Sequence, residues 1–453
     1  MSISGFHNSK RRLFNALFVF IISGLCVYGC SGDSGGGGSN GEPVEEASGG
    51  WDYVAIKQIY ATGLLSSRIR AEVDGNDQAH FVYFESVVPE EPDDDIAFSI
   101  NHAVWDMETM MVREEDETVV EIDNCAGLGF SLDSDGFPAV AYQGGTVKEC
   151  GQERQADSMF SIKESGEWSE YTGGIGEVDT DRNPVFTDGL AGANLSVVFD
   201  SQGDVHMCYQ FRYEGCDSMN LTFPDIYYVK KDRSNLSVPG IEEQVEGNTY
   251  VGNSIGYQNN VGDRCAITLD GNDVPAIFYY AELEDGTEGV RVARRQGGIW
   301  NKEWVEQGCD VDYISAGRDN DGRLAVAYYA TAYVDEQGYP HTHCLKYARE
   351  SEASSEWEIQ LVDETTLCGN YCSLAFNSSG LPAIAYYSEK SHSGYDLGDL
   401  KLVRFDGAFW EREVVHSNGD IGLYNSLWFD DDDRALICSY SNTEKTIYLF
   451  YPQ

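Results

Sequence analysis

The sequence predicts an all-β fold, a seven-bladed β-propeller of four-stranded blades running from Trp51 to Gln453. Three observations predict it. One short unit recurs seven times, each copy carries the residues for four strands, and the two chain ends supply complementary parts of one last blade.

The chain opens with Lys10-Arg11-Arg12 ahead of an apolar run, Leu13 to Tyr28. That is the basic-then-hydrophobic order of an export signal, and the run is too short to span a membrane readily. Residues 1–29 are therefore expected to be a leader outside the fold. The run ends in Val27-Tyr28-Gly29-Cys30, which resembles the lipobox of bacterial lipoproteins, although Tyr28 is bulkier than the small residue usual there. The resemblance implies that Cys30 is lipidated, becomes the mature N-terminus and anchors the protein to a membrane. Ser31, rather than Asp, after that cysteine resembles the outer-membrane sorting pattern, which implies the bacterial cell envelope as the address. Residues 30–50 are then Gly, Ser and acidic residues, the composition of a flexible tether.

Past Cys30 ten cysteines remain: Cys125, Cys150, Cys208, Cys216, Cys265, Cys309, Cys344, Cys368, Cys372 and Cys438. An even number in an oxidising compartment reads as disulfides, with Cys208–Cys216 and Cys125–Cys150 the expected loop staples. Cys368 and Cys372 have no second pair nearby, so zinc is disfavoured.

The clearest repeat is Ser373-Leu-Ala-Phe-Asn377-Ser-Ser-Gly380-Leu-Pro382-Ala-Ile-Ala-Tyr386-Tyr387. Equivalent copies place Asp74, Asp133, Asp200, Asp270, Asp319, Asn377 and Asp430 at one position, separated by 59, 67, 70, 49, 58 and 53 residues. Nine residues on stand Tyr83, Tyr142, Tyr209, Tyr279, Tyr328 and Tyr386, with Ser439-Tyr440 in the last copy. Each copy reads as a hairpin: an apolar strand, a turn whose Asp or Asn accepts from the backbone, a Gly such as Gly136, Gly203, Gly322 or Gly380 for positive φ, and a second strand. A third strand follows (Ile226 to Lys230, Val290 to Arg294, Leu345 to Arg349, Leu400 to Phe405), and a fourth opens with Trp168, Trp300, Trp357 or Trp410. The seventh copy ends after its third strand, Thr446 to Tyr451, whereas the chain begins Trp51-Asp-Tyr-Val-Ala-Ile, matching Trp410-Glu-Arg-Glu-Val-Val. The N-terminal strand is therefore expected to complete the last blade and remove the open edge. In blade layout the repeat is similar to Asp-box, sialidase-like propellers and to WD-repeat proteins. The nearest Asp-box stretch, Ser131-Leu-Asp133-Ser-Asp-Gly136-Phe-Pro, sets glycine one place late and lacks the Trp, so the resemblance implies architecture and no enzymatic identity.

Charge narrows the partners. With 30 Lys+Arg against 76 Asp+Glu the chain carries −46, and −49 once the three basic residues of the leader are gone. Such a field repels nucleic acid and anionic headgroups, so no nucleic-acid partner is expected. The acids are dispersed among 42% hydrophobic residues, the balance of a solvated globular surface, and a monomer is expected.

Turns between first and second and between third and fourth strands are short and uniform, whereas the other connections are long and differ in every copy. Variable loops on a rigid scaffold carry function, so the long-loop face is the candidate binding face. Six residues before each turn Asp or Asn, at the start of the innermost strand, stand Arg68, Gly127, Asn194, Arg264, Tyr313, Tyr371 and Tyr424. Arginine, asparagine and tyrosine converging on one funnel mouth suit a sugar or uronic acid, because Arg grips carboxylates and Tyr offers an apolar body with a polar tip. Packing of the channel entrance is the competing role. The Tyr279-Tyr280, Tyr328-Tyr329 and Tyr386-Tyr387 pairs read as core, and His80 and His206, at a position that is Ala elsewhere, as buried satisfied histidines. His341 and His343 are weak metal candidates. The Asp133-Ser-Asp135-Gly136 and Asp319-Asn-Asp321-Gly322 turns resemble fragments of calcium loops but lack the following acidic ligand, so no cofactor is expected and calcium is a minor alternative.

Three functional classes remain: a tethered module recognising a glycan or protein; a glycosidase or polysaccharide lyase with Arg68 and Arg264 on a substrate carboxylate and Asp263 and Asp312 as the acid pair; or a scaffold with a plugged funnel.

Overall fold

The computed structural model describes residues 50–453, except 60–68, 88–96, 110, 123–126, 145–146, 150–151, 155–156, 175–188, 214–223, 239, 248–258, 335–339, 353–355, 366 and 391–396. Seven four-stranded antiparallel sheets form the ring. From channel to rim, blade 1 is Ile69–Val73, Gln78–Val87, Ala97–Asp106 and Met111–Ile122, and blade 2 is Leu128–Leu132, Pro138–Gly144, Asp157–Glu164 and Glu167–Gly174. Blade 3 is Gly189–Phe199, Val205–Tyr213, Asp225–Lys231 and Ile241–Glu246, and blade 4 is Asn260–Leu269, Pro275–Glu282, Glu288–Gln296 and Ile299–Gln307. Blade 5 is Val311–Arg318, Leu324–Val334, Pro340–Glu350 and Trp357–Asp363, and blade 6 is Cys368–Phe376, Pro382–Lys390, Leu397–Phe405 and Trp410–His416. Blade 7 is Ile421–Phe429, Ala435–Ser441, Thr446–Pro452 and, as its outermost strand, Trp51–Gln58. The clasp is antiparallel, with Trp51 opposite Pro452 and Gln58 opposite Thr446.

Each turn Asp or Asn has a structural task. In all seven copies its Oδ1 accepts the backbone amides two and four residues on, at 2.8 to 3.1 Å, as Asp270 does from Asn272 and Val274 and Asn377 from Ser379 and Leu381. Three residues after it the backbone takes positive φ in every copy: glycine in four, and Asp77, Asp273 and Asp433 at 56°, 60° and 60° in the others. Short polar side chains tolerate that region because they bond locally. In the two turns that resemble fragments of calcium loops, Asp133 Oδ1 and Asp319 Oδ1 have this same structural role.

The apolar core is divided into seven clusters, one between each pair of neighbouring blades. The cluster joining Phe81 and Tyr83 of blade 1 to Cys438, Tyr440 and Leu449 of blade 7 seals the ring. Tyr279, Tyr328 and Tyr386 are fully buried, and their hydroxyls donate to Glu246, Glu306 and Asp363 on the outer strand of the preceding blade at 2.6 to 2.7 Å. A second set of ties was not foreseen. The tryptophan near the start of an outer strand donates its Nε1 to the outer strand of the preceding blade: Trp168 to Glu117, Trp300 to Glu243, Trp357 to Glu303 and Trp410 to Gln360. Trp51 does the same to Glu413, at 3.1 Å, so the clasp strand is equivalent to the others in this contact as well as in register.

The cysteine expectation is corrected in part. Cys208, Cys265, Cys309, Cys344, Cys368, Cys372 and Cys438 are free thiols, and Cys208 Sγ lies 3.5 Å from Cys265 Sγ. Cys125, Cys150 and Cys216, the other members of the two expected staples, fall outside the described residues, as does Cys30.

Candidate functional site

The innermost strands enclose a channel cavity of about 530 Å³ lined by residues from all seven blades. Its two ends differ. The turn-Asp end is bounded by seven similar hairpin turns, whereas the other receives the connections from second to third strands and from each fourth strand to the next blade. Around that mouth the blade-to-blade links are long before blades 3 and 4 (175–188 and 247–259) and short before blades 5, 6 and 7 (308–310, 364–367 and 417–420).

Of the predicted mouth residues, Asn194, Arg264, Tyr313, Tyr371 and Tyr424 all line this cavity. Gly127 is buried, and Arg68 lies outside the described residues. The backbone explains the convergence. Pairing to the second strand slips at Ala193/Ser196, Asp312/Ile314, Asn370/Ser373 and Leu423/Ser426, and Asn194, Tyr313, Tyr371 and Tyr424 take φ of 46°, 48°, 52° and 54°. These are β-bulges with a non-glycine residue in the left-handed region, which re-aim a side chain at a cost and persist only where surrounding contacts hold them. The contacts are repeated. The side chain one residue further along the adjacent blade catches the bulge carbonyl: Cys265 Sγ to Asn194 O at 2.6 Å, Cys372 Sγ to Tyr313 O at 3.1 Å and Asn425 Nδ2 to Tyr371 O at 3.2 Å.

Below the mouth, Ser196, Ser315, Ser373 and Ser426 accept the amides of Ile267, Leu374, Leu427 and Ala71 in the next blade, at 3.0 to 3.3 Å. Between blades 1 and 2 the link is made by Glu72, whose carboxylate accepts Leu132 N at 2.9 Å. Burial pushes the Glu72 carboxyl up to about 7, and the Leu132 amide offsets this only in part.

At the mouth itself, Tyr313, Tyr371 and Tyr424 come from consecutive blades and form a continuous aromatic arc. Ring centroids are 4.4 Å apart for Tyr313–Tyr371 and 4.7 Å for Tyr371–Tyr424, and hydroxyl hydrogen bonds link them. Tyr387 meets Tyr371 edge-on at 6.0 Å. Arg264 extends the arc, its guanidinium 5.7 Å from the Tyr313 ring centre, and it is bound to Asp312 at 3.1 Å. That ion pair engages both an expected carboxylate grip and one member of the expected acid pair. Burial pushes the Tyr313 phenol up and the Tyr371 phenol well above its ordinary range, so both stay neutral hydrogen-bonding groups.

Other singled-out histidines have structural partners, and the His341 side chain lies outside the described residues. His80 Nδ1 and His102 Nε2 lie 3.0 Å apart, and His206 sits between Asp200 at 3.1 Å and the Tyr228 hydroxyl at 2.8 Å. His343 stacks on Tyr329 at 5.2 Å. Among the described residues no group of three or more His, Cys, Asp or Glu side chains is placed to hold a metal ion.

No protein-family model matches the chain, and no curated protein matches it. Solved structures do. A polysaccharide lyase, the PL25 ulvan lyase bound to -[GlcA(1-4)Rha3S]-, superposes with a TM-score of 0.53 at 11% identity, over 87% of this chain and 95% of the other. The same lyase in a second structure gives 0.50 at 11%, over 88% and 93%. A Hadza microbial sialidase gives 0.45 at 12%, over 78% and 72%. At these identities the likeness is one of fold.

Proposed function

We propose that this chain is a lipoprotein of the bacterial cell envelope whose propeller binds a glycan through the wide mouth of its channel. The observation that carries the reading is the arc of Arg264, Tyr313, Tyr371 and Tyr424, three of them held in left-handed bulges, at the mouth of a cavity of about 530 Å³. Half-buried tyrosines lining a cavity, whose ring edges and hydroxyls face it together, are the chemistry of carbohydrate recognition. Structurally similar propellers include a lyase bound to a carbohydrate, which supports the scaffold as one able to present such a site. Asn194 and Arg68 would flank the arc, and Cys30 would carry the lipid that tethers the ring to the outer membrane.

A catalytic reading has one observation in its favour, the raised carboxyl of Glu72 in the channel wall. Hydrolysis needs two carboxyl groups across the scissile bond. Glu72 is the sole carboxylate among the described residues lining this cavity, and Asp312 is paired with Arg264. This argues against a glycosidase and does not bear on a lyase, whose elimination needs no acid pair; binding is the reading we propose, on the tyrosine arc.

The test is a glycan-array screen of the full-length protein in detergent beside Tyr371→Ala and Arg264→Ala. Loss of the wild-type signal in both variants supports the site; binding unchanged in both places recognition elsewhere, and turnover of a bound glycan would favour the enzyme. Labelling with radioactive palmitate, abolished in Cys30→Ala, tests the anchor.

A further inference from the structure

Resting on the glycan reading, we propose that the mouth selects sugars without acidic groups, and that the arginine there serves as a positioning group for the tyrosine arc rather than as a carboxylate receptor. The arrangement of charge argues it. Arg264 is the described cation of the arc, and Asp312 neutralises it at 3.1 Å while its guanidinium lies over Tyr313. An acidic sugar would either displace Asp312, exchanging one carboxylate for another, or share the guanidinium with it and set two carboxylates side by side.

Around the arc, further carboxylates come from the mouth-side ends of the strands. Tyr387 donates to Asp420 at 2.9 Å and Tyr280 to Glu288 at 3.2 Å. Asp310 and Glu282 lie close enough to act on the Tyr280 hydroxyl, and Asp312 and Glu389 on that of Tyr329. Lys390, the described lysine at this end of blade 6, is bound to Asp399 and to Ser417 O. Deeper in the channel Arg70 lines the wall, its guanidinium donating to Ile69 O at 2.9 Å, so the acidic character belongs to the mouth and not to the channel interior.

Among the described residues at this mouth, carboxylates outnumber cations, the same sign as the chain's overall −46. At physiological salt, charges within about 8 Å act on a ligand with little screening. An anionic polysaccharide meets repulsion on approach and finds no unengaged cation in the described arc. Neutral hydroxyls find the reverse: carboxylate acceptors, phenol hydroxyls and ring edges.

The test uses full-length protein in detergent on an array of matched oligosaccharides, each neutral chain printed beside its C6-carboxylate, sialylated and O-sulfated counterparts, with and without added salt. The expected result is binding of neutral members, at least about tenfold weaker binding of their acidic counterparts, and a smaller gap at high salt. Asp312→Asn, which unpairs Arg264, should narrow the same gap at fixed salt. Tighter binding of an acidic member than of its neutral parent overturns the selectivity while leaving glycan recognition standing; no binding to any member overturns both.

Discussion

Replacing Asp270 by alanine isolates what the repeated turn residue does for the ring. Asp270 Oδ1 accepts Asn272 N at 2.8 Å and Val274 N at 3.0 Å, and alanine removes both bonds. Hydrogen bonds to an ionised group contribute about 1.5–3 kcal/mol each. Water can reach part of this surface turn, so the lower end applies, and the expected loss is about 3 kcal/mol for the pair. The chain contains its own control: Asn377 holds Ser379 N and Leu381 N at 3.1 and 2.9 Å with a neutral amide. Asp270→Asn should therefore cost less than about 1 kcal/mol, since both acceptor bonds survive. Urea unfolding followed by tryptophan fluorescence on the wild type and both variants gives the comparison. Equal losses in the two variants would show that the charge of Asp270, not its acceptor geometry, sets the turn, and would refute the reasoning.

Deleting Trp51–Gln58 leaves Thr446–Pro452 as an open edge and removes the Trp51–Glu413 tie, so the melting temperature should fall and aggregation rise; superimposable melting curves would contradict the clasp. Glu72, raised to about 7 from 4.5, binds a proton more readily folded than unfolded, so its ionisation costs stability increasingly as pH rises through that interval and fully above it. Glu72→Gln should accordingly gain stability over the wild type at pH 8 and little at pH 5, whereas a difference independent of pH would refute this. At the acid end, burial opposes the ionised forms of Glu117 and Asp200, but His102, Lys163 and Trp168 around the first and His206, Lys230 and two backbone amides around the second hold both near about 2. Their contribution is present above the ordinary carboxylate range and is lost as pH falls toward 2, which the acid limb of a pH–stability curve would show. Mild oxidation should cross-link Cys208 to Cys265, whose sulfurs lie 3.5 Å apart; a peptide map that leaves Cys265 unlinked would contradict this.

The blade count, the strand order and the clasp were legible because a repeat prints the same local chemistry seven times, so register errors in one copy are corrected by the others. The mouth positions were legible for the same reason: a fixed offset from the turn residue put Asn194, Arg264, Tyr313, Tyr371 and Tyr424 on one channel. Their left-handed bulges were not, because non-glycine residues carry no sequence mark for positive φ; the cue lay in the next residue, Cys265, Cys372 or Asn425, whose side chain donates to the bulge carbonyl. The outer ties had a readable signature that went unused, a carboxylate or amide three residues after Trp300, Trp357 and Trp410. The Arg264–Asp312 pair joins neighbouring blades across 48 residues, a separation that the local pattern does not encode.

A crystal structure of the protein with a neutral oligosaccharide from the array would decide the matter most directly. The account predicts a sugar ring packed against Tyr371, with Tyr313 and Tyr424 at its sides and the Arg264–Asp312 pair intact. A sugar seated away from the channel, or a carboxylate in place of Asp312 on Arg264, would contradict it.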